Sequence, residues 1–281
     1  MMLIAVVMFS LMDTAMKLLA ADFPAMQVAS LRALASLPLI VAYVAWRGGF
    51  KAILRVHWPL QLLRAGLGIA MLALFAYGVN RLSLAEAYSI FFIAPALITA
   101  LSVWILKEQV HAGQWVAIVI GMGGVLVVLR PSGEGMLTIA GVAILGAAAL
   151  YAVSTVTGRI LSRVDSSAHM VFWLMTLMAI GATALAWPNW VAVPMDRVPL
   201  LCSLAVSGFF AQLAITEAFA HGEASRVAPF EYSALAWGVA LDWVLWQVLP
   251  DRYTLMGAAI IIASGLYLIR REKVHGDSEH P

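Results

Sequence analysis

Asp13 and Lys17 stand four residues apart inside the first long apolar stretch of this 281-residue chain. On a helix that spacing stacks a carboxylate and an ammonium on one face. The two either neutralise each other or form a polar wall for a zwitterionic or charged solute, and Lys17 can also snorkel to the outer interface. Glu217, Glu231 and Asp242 stand inside later apolar stretches. A carboxylate placed there is held by Arg226 or by an interhelical hydrogen bond, or it carries a coupling proton. Arg32, early in the second stretch and close in sequence to Asp22, reads as a structural anchor. A charge within a bilayer costs about 2.5–3.5 kcal/mol on insertion scales, so each of these groups needs a partner or water.

The aromatic residues divide by position. Trp46, Trp58, Trp115, Trp187, Trp190 and Trp246 fall near the ends of apolar stretches, where indoles form interfacial belts. Tyr77, Tyr88, Phe91, Phe92, Tyr151, Phe210, Tyr232 and Trp237 lie within them. Singly, each fits helix packing. Together they could line a cavity that stacks flat solutes and offers tyrosine hydroxyls. Pro95 and Pro229 each remove a backbone donor from a helix and mark points where it can bend.

These groups need elements to hold them, and composition says which kind. The chain is 63% hydrophobic and 11% charged, with a mean hydropathy of +0.93. Soluble domains are roughly half apolar and a quarter charged, so this is an integral membrane protein. Stretches of about 20 apolar residues predict ten spanning helices: 2–20, 26–46, 60–78, 83–106, 112–129, 137–161, 168–187, 199–220, 224–248 and 254–269. The first has no basic leader and no small-residue cleavage site, and is read as a retained helix. One cysteine, Cys202, excludes an internal disulfide scaffold. The spacing of the histidines fits no metal site. There is no phosphate loop, no Ser-His-Asp constellation and no basic cluster for nucleic acid. No catalytic residue, metal or cofactor is expected, and the partners are the lipid bilayer and a small-molecule substrate.

Lys and Arg set the orientation. Arg47, Lys51, Arg55 and Arg64 surround the second loop, and Lys107, Arg159, Arg163 and Arg270-Arg271-Glu272-Lys273 fall on the same side by alternation. The positive-inside rule makes that side, with both termini, cytoplasmic. The two halves echo each other. Glu86-Ala87 leading to Pro95 answers Glu223-Ala224 leading to Pro229, Asp13…Lys17 answers Thr155…Arg159, and Gly124 answers Gly265. An odd number of helices per half inverts the second against the first. The domains are then 1–130 and 136–271, with a polar tail at 272–281. Ala117, Gly121 and Gly124 share one helix face, and Gly257 and Gly265 another. Such faces let helices approach closely, within the bundle or across a homodimer.

The chain resembles the drug/metabolite transporter superfamily, specifically the ten-helix EamA-type exporters of bacterial inner membranes. The resemblance rests on Phe9-Ser10-Leu11-Met12-Asp13-Thr14-Ala15-Met16-Lys17, on Arg32, and on Leu84-Ala85-Glu86-Ala87 with Pro95 and Lys107-Glu108. In the second half it rests on Glu223 to Tyr232 and on the closing Gly257…Gly265 helix. Arg32 has no counterpart there, with Met175 near the matching place. The resemblance implies an all-α membrane protein of two inverted five-helix repeats around a central cavity, working by alternating access. Its substrate-binding candidates are Asp13, Lys17, Tyr77, Tyr88, Phe92, Tyr151, Thr155, Phe210, Tyr232 and Trp237, with Glu217 and Glu231 as proton carriers. Overall likeness points to exporters of aromatic and other neutral amino acids. A carrier of another solute (drug, organic cation or nucleotide precursor) is the alternative, and a membrane scaffold or enzyme the reading from a different class.

Overall fold

The computed structural model describes residues 1–47, 53–82, 84–131, 138–247 and 250–276. Lys51, the centre of the 130–135 linker, the side chains of Asp242, Trp246 and 268–276, and the last residues of the tail lie outside the described residues.

Every described element is helical. The first half comprises α1 (Met2–Leu19), α2 (Ala25–Trp46), α3 (Trp58–Val79), α4 (Leu84–Phe91), α5 (Ala94–Leu101) and α6 (Ala112–Leu129). The second comprises α7 (Ile139–Leu161), α8 (Ser167–Ala186), α9 (Val198–His221), α10 (Ala224–Val227), α11 (Ser233–Trp246) and α12 (Arg252–Gly276). Eight segments of the described residues are long and apolar enough to cross a membrane, with α4 and α5 counted as one. The broken pair α10–α11 and the last helix α12 complete ten crossings.

Two of the expected continuous helices are broken. The stretch predicted at 83–106 is α4, a turn at Phe92–Ile93, α5, and a π-helical turn at Ser102–Leu106. Pro95 sits in the first turn of α5. A proline ring clashes with the carbonyl four residues earlier, here that of Phe91, and α4 ends at Phe91. The stretch predicted at 224–248 is α10, a 3-10 segment at Ala228–Tyr232 containing Pro229, and α11. The two breaks occupy matching crossings of the two halves.

The packing repeats under exchange of halves. α6 lies along α12, and α2 along α8. α3 lies along α7 as α9 lies along α1, and α4–α5 meet α7 as α11 meets α1. Each helix thus finds its main partner in the other half. The glycines make the α6–α12 contact possible: a Cβ on Gly124 would lie 3.0 Å from the carbonyl oxygen of Gly257, and one on Gly257 2.6 Å from that of Gly124. Ser264 Oγ donates to the Ala117 carbonyl at 2.8 Å beside them. The expected small-residue faces therefore close a contact within the bundle. Gly265 is the exception, with open space where a Cβ would point.

Both ends of the bundle are tied. At the end opposite Met1, Asp22 Oδ2 meets Arg197 Nη2 at 2.7 Å. The buried amide of Gln27 donates to the Val191 carbonyl at 2.6 Å and accepts its N–H at 2.9 Å. Arg130 meets Asp251 there at 2.7 Å. At the end bearing Met1, the Glu108 carboxylate accepts the N–H groups of Ala224 and Ser225, both at 2.9 Å. Lys107, left-handed at φ 59°, turns the chain out of the π turn and aims Glu108 at that helix start. Arg159 donates to the Ala220 carbonyl at the end of α9. A cation supplied to the last carbonyls of a helix satisfies groups that have no intrahelical donor.

Candidate functional site

Asp13 is exposed, yet it does not face lipid. It follows Met2 and Val6 on the face of α1 that is buried in the core, whereas Ile4, Leu11 and Leu18 form the outward stripe. Arg32 interacts electrostatically with Asp13 and lays its guanidinium over the Phe9 ring at 5.6 Å. Arg32 also lies opposite the exposed stripe of its own helix, which runs through Leu34, Pro38 and Val41. The anchor expected between Arg32 and Asp22 is therefore not formed, because Asp22 is held by Arg197. Lys17 follows one turn after Asp13 on the same face of α1.

Tyr151, in the middle of α7, joins this pair to a third ionisable group. Its hydroxyl donates to Glu231 Oε1 at 2.9 Å. It interacts electrostatically with Arg32 and Arg64, and Thr155 follows one turn on along α7. Glu231 reaches this position because the 3-10 segment around Pro229 re-aims the chain between α10 and α11. Tyr88 interacts electrostatically with Asp13. The groups linked electrostatically or by hydrogen bonds are thus Asp13, Arg32, Tyr88, Tyr151, Thr155, Glu231 and Arg64.

An aromatic wall lies against them. Phe75 packs on Tyr88 at 5.7 Å and on Phe91 at 5.2 Å, and Phe91 packs on Tyr151 at 5.7 Å. Tyr88 meets Phe92 at 6.4 Å, and Phe92 meets Tyr232 at 6.0 Å. These separations are those of favourable offset or edge-on ring pairs. Tyr88 is 37% exposed, whereas Tyr232 is 1% exposed. Tyr232 backs Phe92 and fills the notch left by Gly121, where a Cβ would lie 2.6 Å from its ring.

Other candidates are placed elsewhere. Tyr77 lies under the Arg81 guanidinium at 3.8 Å, at the end of α3. Phe210 shares the exposed stripe of α9 with Val206 and packs edge-on against Phe209. Trp237 shares that of α11 with Ala240 and Val244. Glu217 meets His221 Nδ1 at 3.1 Å, and Arg226 pairs with Glu223 rather than with Glu217 or Glu231. Glu217, His221, Glu223 and Arg226 line a cavity of about 810 Å3 at the end bearing Met1. Phe230 and Met2 also line it, and both pack in the apolar cluster that includes Tyr151.

Arg64 is the residue whose place the sequence analysis missed. It was counted with the loop cations that set orientation, yet it is 7% exposed and packs on the α7 backbone at Gly158. A signal was present: Gln61, Arg64 and Gly68 follow at helical spacing, and all three are buried.

Comparison with known proteins agrees with this architecture. The EamA-like transporter family matches residues 1–130 and again 138–271. Among curated relatives, the pseudopaline exporter of Pseudomonas aeruginosa is 26% identical, the match covering 94% of this chain and 93% of that one. The S-adenosylmethionine uptake transporter of Rickettsia prowazekii is 26% identical over 99% and 94% of the two chains. The riboflavin transporter of Vibrio cholerae is 27% identical over 89% and 84%. A solved crystal structure shares the fold with a TM-score of 0.84, at 17% identity and 94% coverage of both chains. The chain belongs to the EamA-like transporter family and is a multi-pass membrane transporter of small molecules.

Proposed function

We propose that this chain is a secondary transporter that exports small zwitterionic metabolites, amino acids with aromatic or other neutral side chains, across the bacterial inner membrane. The observation that carries the reading is the opposition of Asp13 and Arg32 on inward faces of α1 and α2, beside the rings of Phe9, Tyr88 and Phe92. An α-amino acid presents an ammonium and a carboxylate one carbon apart, which such a pair matches, and a flat side chain matches the rings. Holding an anion and a cation together inside the bundle costs stability unless a ligand or water completes them.

The halves are 1–130 and 136–271, with both termini cytoplasmic, and alternating access moves one half against the other about the breaks at Pro95 and Pro229. The relatives carry named solutes as different as S-adenosylmethionine and riboflavin, and in the first case by uptake. Direction in this chain is therefore tested separately. Right-side-out vesicles loaded with labelled phenylalanine should lose it faster when the chain is expressed. Equal loss with and without the chain, alongside a faster uptake, would reverse the direction.

A further inference from the structure

We propose that Arg64 is a second anion-binding group on the transport path, receiving the carboxylate of the solute on the cytoplasmic side of Tyr151 as Arg32 does on the other. This rests on the amino-acid reading above. Arg64 is 7% exposed, and among the described residues its Nε and Nη1 have no hydrogen-bond partner. Its seat is a shelf on α7, where Gly158 leaves room for it: a Cβ there would lie 3.1 Å from Nε. Asp165, which follows α7 at this end of the bundle, is engaged by the His57 N–H at 3.2 Å and by Gln61 Nε2 at 2.9 Å.

A guanidinium with two unpartnered donors inside a bundle is costly, and a neutral side chain of similar volume is often better tolerated. Packing alone therefore does not explain it. Each free guanidinium N–H can give a carboxylate a charge-assisted bond, roughly twice as strong as a neutral one.

Position supplies the rest of the argument. Arg64 lies six residues into α3 from the end bearing Met1, and Tyr151 ten residues before the end of α7 at that same face. Arg32 lies seven residues into α2 from the opposite face. At 1.5 Å per residue these are depths of about 9, 15 and 10 Å from their respective faces. The order along the bundle is Arg64, Tyr151, Arg32. Tyr151 interacts with both arginines, so a carboxylate can pass from one guanidinium to the other beside the hydroxyl that Glu231 holds.

The test uses the purified full chain and three indole ligands: tryptophan, indole-3-propionate without the ammonium, and tryptamine without the carboxylate. Binding is read as the ligand-dependent rise in unfolding temperature, in wild type, Arg64→Met and Arg64→Lys. Without ligand, Arg64→Met should unfold at or above the wild-type temperature. Its apparent affinity for the two carboxylates should fall about tenfold, with tryptamine unchanged and part of the loss restored in Arg64→Lys. Wild-type carboxylate binding by Arg64→Met would overturn the role of Arg64 alone. So would loss of folding in both variants, which would make the arginine structural. Failure of the wild type to bind any of the three would overturn the amino-acid reading, and Arg64 with it.

Discussion

The hydroxyl of Tyr151 donates to Oε1 of Glu231 at 2.9 Å, tying the centre of α7 to the 3-10 segment at the Pro229 break. The carboxylate is thereby held at the point where the ninth crossing departs from α-helical geometry. Gain or loss of a proton on Glu231 changes what Tyr151 can do: a neutral acid no longer competes for that hydroxyl as an anion does. Local chemistry and helix geometry meet in one contact.

If Glu231 carries the coupling proton, Glu231→Gln should abolish the dependence of transport on a pH gradient while leaving solute exchange. Glu217→Gln should keep the gradient dependence, since Glu217 pairs with His221 at the cavity mouth. Both are read as efflux driven by an imposed pH step in vesicles. A wild type indifferent to the step would make Glu231 a structural group.

The ring wall should sort solutes by shape. A ring pair contributes about 0.5–1.5 kcal/mol beyond its buried area, which is roughly two- to twelvefold in affinity. Tyr88→Ala and Phe92→Ala should weaken phenylalanine or tryptophan by about that factor relative to threonine. Tyr232→Ala is different, because its buried ring fills the Gly121 notch. It should lower thermal stability and affect all solutes alike. The measurement is apparent affinity at matched expression, with thermal unfolding alongside.

The α6–α12 contact should be intolerant of bulk. Gly257→Leu places side-chain atoms against the Gly124 carbonyl and Val128, and overpacking of this kind costs about 1–3 kcal/mol. Gly265→Ala, pointing into open space, should be near neutral. Thermal unfolding in detergent separates the two.

Asp251 gives a pH-dependent test outside the membrane. The Thr254 N–H at 2.8 Å, then Arg130, hold its carboxyl below the usual 3.8. A depressed acid contributes stability above its unfolded value and loses it as pH falls through the folded one. Asp251→Asn should therefore lower the unfolding temperature near pH 6, with the difference shrinking as pH falls below 3.8. A constant difference across that range would separate the effect from the carboxylate's charge.

Much of the fold was legible because apolar length and glycine spacing are local quantities. The echo of Glu86-Ala87…Pro95 in Glu223-Ala224…Pro229 foretold that two crossings share a construction. The site was legible in part. Asp13 stood out as a charge in an apolar run, but its partner Arg32 lies on another helix, and sequence proximity suggested Asp22 instead. Arg64 was hidden by its position near a helix start, where a buried cation and a snorkelling one look alike. Glu108 capping Ala224 and Ser225 depends on a π turn and a left-handed Lys107 that no local periodicity announces.

Topology is checked by reporter fusions: those after Ile53 and at the C-terminus should read cytoplasmic, and one after Met195 periplasmic. A periplasmic C-terminus would contradict ten crossings in two inverted halves.

The most direct measurement is counterflow in proteoliposomes with labelled tryptophan, tryptamine and indole-3-propionate, in wild type, Asp13→Asn and Arg32→Gln. Hydrogen bonds to a charged group contribute about 1.5–3 kcal/mol each, so loss of one charge should weaken tryptophan by roughly ten- to a hundredfold. Wild type should exchange tryptophan best. Asp13→Asn should lose tryptophan and tryptamine but keep indole-3-propionate, and Arg32→Gln should lose tryptophan and indole-3-propionate but keep tryptamine. Wild type that prefers either one-charge analogue to tryptophan, or variants that weaken all three alike, would contradict recognition of a zwitterion by Asp13 and Arg32.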